Sequence, residues 1–340
     1  MRNTVATGNS AKALDLSTVK NTSRPIAANE AAALWDVGDG VLNLELTTKS
    51  NALTQSSFDI FERAMDEIET PGSAFAALVI YSESPNFAAG ADLKEFAALV
   101  AAKDWPTMQA FAQRGQDVLW RMRHAAFPVV SALQGAALGG GCEIVLHSSA
   151  VVAHEESYIG LVESTVGIVP AWGGCAGLLA RHYEALGGTG EPAIAIERTF
   201  DAISGARTGA RASQAKDLLF LRADDEIITD SAALFERAKD KALSLVGNVP
   251  AQPTLPFALP GEAGRAALMA KAPKDAGPHD LIVWDALAAL LTGGAHGAAA
   301  GDAAETILAG EVRSAMALFK TAGTKARIDH MLATRQPLKN

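Results

Sequence analysis

The sequence predicts an α/β protein, an alternating core of strands and helices followed by a largely helical C-terminal region. Three observations carry this expectation. As far as "GGGCEIVLH", short apolar strands alternate with helices of amphipathic spacing, the order that a sheet with crossover helices requires. Past residue 186 the pattern becomes Ala-rich and helical, with one short strand candidate at "DEIITD". Inside that helical part, "NVPAQPTLPFALPG" (248–261) carries four prolines and excludes a regular helix.

In chain order, residues 1–30 are polar and aperiodic and read as a tail or linker. Order begins at "DGVLNLELT", where Leu42, Leu44 and Leu46 alternate with Asn43 and Glu45 as in a half-buried strand. "TQSSFDIFERAMDEIE" sets Phe58, Phe61, Met65 and Ile68 on one helical face, with Thr54 or Ser56 as the cap. "AALVIY" (76–81) is a strand and "SESPNFAAG" a loop. Residues 105–123 are a helix through Met108, Phe111, Val118 and Met122, and "FPVVSAL" (127–133) is a strand leading to the glycines of "AALGGGCEIVL" (136–146). "GGTGEP" is a break, and residues 262–340 read as several helices joined by turns such as "TGGAHGAAAG".

Composition narrows the function. Of 340 residues 49% are hydrophobic and 20% charged, with a mean hydropathy of +0.13, enough for a large core. A net charge of −9 and a pI near 5.3 argue against a nucleic-acid partner, which would need a basic face. An anionic ligand is compatible, since a few local cations and helix N-termini hold phosphate. Two cysteines, Cys142 and Cys175, are too few for a disulfide framework, so a reducing, cytoplasmic setting is expected. The N-terminus lacks a secretory apolar segment, no run is long enough to span a bilayer, and no membrane partner is expected. No dinucleotide fingerprint, Walker loop, HExxH, GxSxG or paired CxxC is present, and the seven histidines form no ligand-spaced cluster, so no metal or redox cofactor is expected.

Three stretches carry chemistry: "NFAAGADLKEF" (86–96), "LGGGCEIVL" (138–146) and "SYIGLVESTVGIVPAWGG" (157–174). Three adjacent glycines cost backbone entropy where a helix is about to begin, which calls for a reason such as close backbone approach to a ligand. Glu143 follows in the first helical turn, where the helix dipole favours its ionised form. Glu163 has mostly apolar neighbours, and desolvation there would raise its pKa. A capping glutamate and an exposed loop carboxylate are the plain alternatives for these two residues.

Taken in order and spacing, these stretches resemble the crotonase (enoyl-CoA hydratase/isomerase) superfamily over about residues 34–250. The resemblance implies a spiral of strand-strand-helix repeats over 31–190. It also implies a helical oligomerisation region with a C-terminal extension over 191–340, in trimers or pairs of trimers. It places an oxyanion hole for a thioester enolate at the backbone N–H groups of Ala91 and Gly140, and gives Glu143 and Glu163 catalytic roles. The split into water-activating base and carbon acid stays a hypothesis from environment, since neighbouring carboxylates titrate together. "TKSNAL" (48–53) is similar to the family's CoA-binding segment, which implies substrate contacts from Lys49 and Ala52; the "AAGADLK" loop implies further contacts from Ala89, Asp92, Leu93 and Lys94, and the "PAWGG" segment one from Ala171. Coenzyme A would enter as part of the acyl-CoA substrate, with no separate cofactor. "PAWGG" departs from the family's "PGxGG", and Trp172 there would narrow or reshape the acyl pocket. "HSSA" (147–150) replaces the family's Cys-Asp and reads as structural.

The implied reaction is reversible hydration of a trans-2-enoyl-CoA to a 3-hydroxyacyl-CoA in fatty-acid β-oxidation. An enoyl-CoA isomerase and a non-catalytic assembly module remain the alternatives. The ending "RIDHMLATRQPLKN" resembles bacterial 3-hydroxyacyl-CoA dehydrogenases that carry a crotonase module. That likeness implies a covalent or functional link to a dehydrogenase, with no NAD binding by this chain.

Overall fold

The main sheet is apolar on both faces, and this decides where everything else packs. The computed structural model describes residues 15–188, 191–273 and 276–340; residues 1–14 of the expected tail and 189–190 of the "GGTGEP" break lie outside these. The described end of the expected linker carries structure. A short helix α1 (Leu16–Thr22) is capped by Asp15, and strands β1 (Ala27–Ala28) and β2 (Ala32–Asp36) follow. β3 (Val41–Leu46) leads to α2 (Gln55–Glu69), capped by Thr54 rather than Ser56 through a reciprocal pair with Ser57. β4 (Ala77–Ile80) is followed by a helix the sequence did not announce, α3 (Leu93–Ala102), whose cap is Asp92. Next come α4 (Trp105–Arg123), β5 (Val129–Leu133), β6 (Ala136–Leu138), α5 (Gly140–His147), β7 (Ala150–His154) and β8 (Tyr158–Gly160).

β1, β2 and β3 pair antiparallel, and β4, β5 and β7 continue the sheet in parallel. Leu42, Leu44, Leu78, Ile80, Val129, Leu133, Val151 and Ala153 face the larger core with α2, α4 and α5. Their alternates Val41, Ala77, Val79, Val130, Ala132 and Val152 face a second core. β3 is therefore buried on both faces, not half-buried as its alternation implied. Its polar members have partners: Glu45 accepts from Lys20 Nζ of α1 (2.7 Å) and from Trp35 Nε1 (2.9 Å), and Asn43 Nδ2 donates to Tyr81 O (3.3 Å). The serines of "HSSA" stitch the end of α5 to β5, with Ser148 Oγ 2.8 Å from Ser131 Oγ and Ser149 Oγ accepting the Val129 N–H at 3.1 Å.

Beyond β8 the chain is mostly helical, as expected: α6 (Gly174–Ala185), α7 (Pro192–Ser204), a short β9 (Thr208–Gly209) and α8 (Ala212–Asp217). β10 (Glu226–Ile228) closes the main sheet beside β7, and α9 (Leu234–Leu245) covers the second core. After the proline-rich stretch come α10 (Glu262–Met269), α11 (Pro278–Thr292), α12 (Ala303–Phe319) and α13 (Ala322–Thr334). These last helices pack back on the same chain, α12 on α4 and α6, α13 on α3. Among the described residues no helix is long and apolar enough to cross a membrane.

Candidate active site

A second, small sheet positions the two predicted glutamates. β6 and β8 lie parallel, and the Gly139 N–H donates to Gly160 O (3.0 Å). Both strands end at the same edge, so α5 leaves β6 and the Glu163–Val166 turn follows β8 side by side. Gly139 makes the corner into α5 at φ +53°, a conformation that favours glycine. The 86–92 loop runs along β6, with Ala88 N donating to Ala136 O and Leu138 N to Ala88 O (3.0 Å each). A Cβ added at Gly90 would lie 3.0 Å from Leu138 O and 3.4 Å from Gly140 N, so the loop and the helix start touch there. The Ala91 and Gly140 N–H groups thus come from adjoining segments, and neither has an acceptor among the described residues.

Glu143 is 2% exposed, and its Oε1 accepts from Trp172 N (2.8 Å) and Gly174 N (2.9 Å). Burial pushes its pKa up to about 7, while these two donors pull it down. Glu163 has no partner for either oxygen among the described residues and lies beside Gly139, where an added Cβ would sit 3.5 Å from its Oε1. Burial first, then the charge of Glu143, holds its carboxyl well above the usual carboxylate range. An unpartnered buried carboxylate costs stability, which points to a functional reason for it. The site thus brings together two backbone N–H groups without an acceptor among the described residues and two buried carboxyls held above the usual carboxylate range.

Sequence reasoning missed a third acid. Glu311 on α12 is fully buried, with Oε2 accepting from Gly173 N (2.6 Å) and Oε1 from Cys175 N (2.9 Å) and Ala176 N (3.1 Å). Burial and the nearby Glu143 push its pKa up to about 8 against those donors. A signal was there: Glu311 occupies the i+4 place in the stripe Ile307–Glu311–Ala315, all fully buried. Arg327 and Thr324 of α13 were missed too. Arg327 Nη1 donates to Ser164 O (3.0 Å) and Thr324 Oγ1 to Gly167 O (2.6 Å), bracing the turn that carries Glu163.

Six predicted substrate residues lie on two interlocked segments, two of them in the first turn of α3. Leu53 N donates to Gly90 O (2.8 Å), Asp92 N to Leu53 O (3.0 Å), and Asn51 Nδ2 to Asn86 O (2.9 Å) and Phe87 O (3.0 Å). This brings the segments carrying Lys49, Ala52, Ala89, Asp92 and, at the start of α3, Leu93 and Lys94 side by side, with Lys49, Ala89 and Lys94 exposed. Asp92 also serves as the α3 cap, accepting from Lys94 N at 2.8 Å. Ala171 stands apart on the Glu143 side, its carbonyl taken by Gln116 Nε2 (3.1 Å). Trp172 is buried edge-on against Phe58 (5.2 Å) and Phe111 (5.7 Å), and a Cβ at Gly140 would run into its ring. Cys142 and Cys175 are buried, and burial pushes both thiols up, as fits packing residues.

The fold itself has known counterparts. It is shared with an enoyl-CoA hydratase from Bacillus halodurans at a TM-score of 0.61, over 88% of this chain and 99% of that one at 16% identity. Residues 37–182 match the enoyl-CoA hydratase/isomerase family model, so this part of the chain is similar to that family. Among individual proteins, it is 32% identical over 335 residues to the "probable 3-hydroxyacyl-CoA dehydrogenase" of Bacillus subtilis (strain 168), covering 97% of this chain but 42% of that protein. It is 33% identical over 148 residues to the "probable enoyl-CoA hydratase" of the same organism, covering 42% of this chain and 55% of that protein. The chain thus spans about half the length of these curated relatives.

Proposed function

We propose that this chain hydrates trans-2-enoyl-CoA esters reversibly to 3-hydroxyacyl-CoA. The observation that carries the reading is the unequal pair of buried carboxylates beside two uncommitted N–H donors. Glu143, steadied by the Trp172 and Gly174 N–H groups, takes a proton from water as its oxygen bonds to C3. The electron pair of the C2=C3 bond moves toward the thioester, whose oxygen gathers charge between the Ala91 and Gly140 N–H groups. Glu163, kept protonated, delivers its proton to C2. Water is thereby added across the double bond, and the proton left on Glu143 returns to Glu163 before the next turnover. Lys49 and Lys94 would face the CoA phosphates. Trp172, packed against Gly140, favours short acyl chains.

The substrate class also supports a role in fatty-acid β-oxidation. Its product would pass to a 3-hydroxyacyl-CoA dehydrogenase, a link supported by the Bacillus subtilis relative of that name. Residues 191–340 would also carry self-association into trimers or pairs of trimers. The test is loss of enoyl absorbance with esters of about four to about sixteen carbons. Turnover is expected, fastest at the short end, and none at any length sinks the proposal. A 3-enoyl-CoA separates the isomerase alternative, which predicts isomerisation without hydration.

A further inference from the structure

Two acids grip one turn, and the second arrives from far along the chain. Glu143 takes the N–H groups of Trp172 and Gly174, while Glu311 takes those of Gly173, Cys175 and Ala176. The donors alternate along the backbone, so the turn cannot shift toward one carboxylate without straining its bonds to the other. Gly173 has no side chain to cap α6, and the two acids do that work instead. Gln116 on α4 ties Glu311 in place, its Nε2 lying 3.3 Å from Oε2 while also serving Ala171 O and Leu308 O.

A carboxylate at 311 is a costly choice for packing alone, because it is fully buried with Glu143 nearby. Its chemistry explains it. Three backbone donors and the Gln116 amide converge on its two oxygens, and only a carboxylate accepts on both; glutamine would turn an NH2 toward one set of N–H groups. We propose that Glu311 is a positioning residue of the active site, locking the 172–176 turn so that two backbone N–H groups stay aimed at Glu143. This rests on the reading of Glu143 as the group that activates water.

The titratable groups around Glu311 are Glu143 on α5, Glu163 on its turn and Cys175 on α6; Gln116 on α4 is neutral. His147 on α5 lies with Nε2 2.9 Å from Trp172 O, and burial keeps it neutral. Removing the charge of Glu311 therefore removes one like charge acting on Glu163, lowering the pH at which Glu163 loses its proton.

The test compares Glu311→Gln with wild type in the full chain, using 2-butenoyl-CoA. The expected result is a kcat lower by at least about 10-fold with KM within about 3-fold, and a basic limb of the pH profile moved to lower pH. Amide exchange at Trp172 and Gly174 should quicken by about 10-fold or more. A lower melting temperature with the pH profile and those two amides unchanged means a merely structural role and overturns the proposal. If the wild type hydrates nothing, the hydratase reading falls by itself. Amide exchange and a carboxyl carbon-13 titration of Glu163 then decide the positioning role without turnover, unchanged values overturning it. Should Glu311→Gln not fold, Gln116→Leu must show the same pattern at smaller amplitude, and its absence overturns the proposal.

Discussion

Glu143 and Glu163 are one side chain in two settings. Glu143 is the more deeply buried, 2% exposed against 9%, yet Glu163 is held the further above the usual carboxylate range. Depth does not order them; partners do. Glu143 stands at a helix start and receives two N–H groups, whereas Glu163 sits on a tight turn with neither oxygen hydrogen-bonded among the described residues. A fold can set two identical groups to opposite tasks by supplying hydrogen bonds to one and withholding them from the other.

The largest effect should come from removing either acid. Glu143→Gln and Glu163→Gln should each lower hydration by at least about 10²-fold, the scale of general acid–base contributions. Near-wild-type turnover in Glu163→Gln would erase the contrast and return that residue to packing. The pH profile sharpens the comparison. kcat/KM should rise through about pH 7 as Glu143 ionises, then fall at higher pH as Glu163 does, and a flat profile from pH 6 to 9 would break it.

Stability should change in the opposite sense to activity. Because the folded-state pKa of Glu163 lies above its unfolded value, its burial is best tolerated below about pH 4, and stability is lost as pH rises through the folded pKa. Glu163→Gln escapes that loss and should gain about 1–2 kcal/mol at pH 8, a rise of about 1–3 °C in melting temperature. At pH 4 the gain should vanish, and an equal gain at both pH values would point to packing instead. The smallest effect lies at the exposed cations. Lys49→Ala and Lys94→Ala should each raise KM for a CoA ester by roughly 1.5- to 5-fold and leave kcat alone, since solvated charge contacts contribute about 0.2–1 kcal/mol.

Much of this was legible in the residues. The alternating leucines of β3, the helical face of α2 and the span of α4 follow from period alone, because local patterning and core packing agree there. The triple glycine and the two glutamates stand out because they break a local rule. α3 is short, four of its ten residues are alanine, and of its side chains just Phe96 and Val100 are buried, which leaves a weak periodic signal. The buried side of β3 was hidden because α1, not β3, decides whether Glu45 meets water. Glu311 was hidden for the same kind of reason: its partners Gly173, Cys175 and Ala176 lie more than 130 positions earlier. No periodicity reaches that far.

That separation has a kinetic side. The small sheet, α5 and the Glu163 turn are formed from neighbouring sequence, but Glu311 and Arg327 close on them only through contacts 138 and 163 residues long. Long loops must close before such contacts form, so the catalytic geometry should mature after the spiral has condensed. During refolding, compaction should run ahead of recovered turnover, and nascent chains would hold a formed core before they hold a working site.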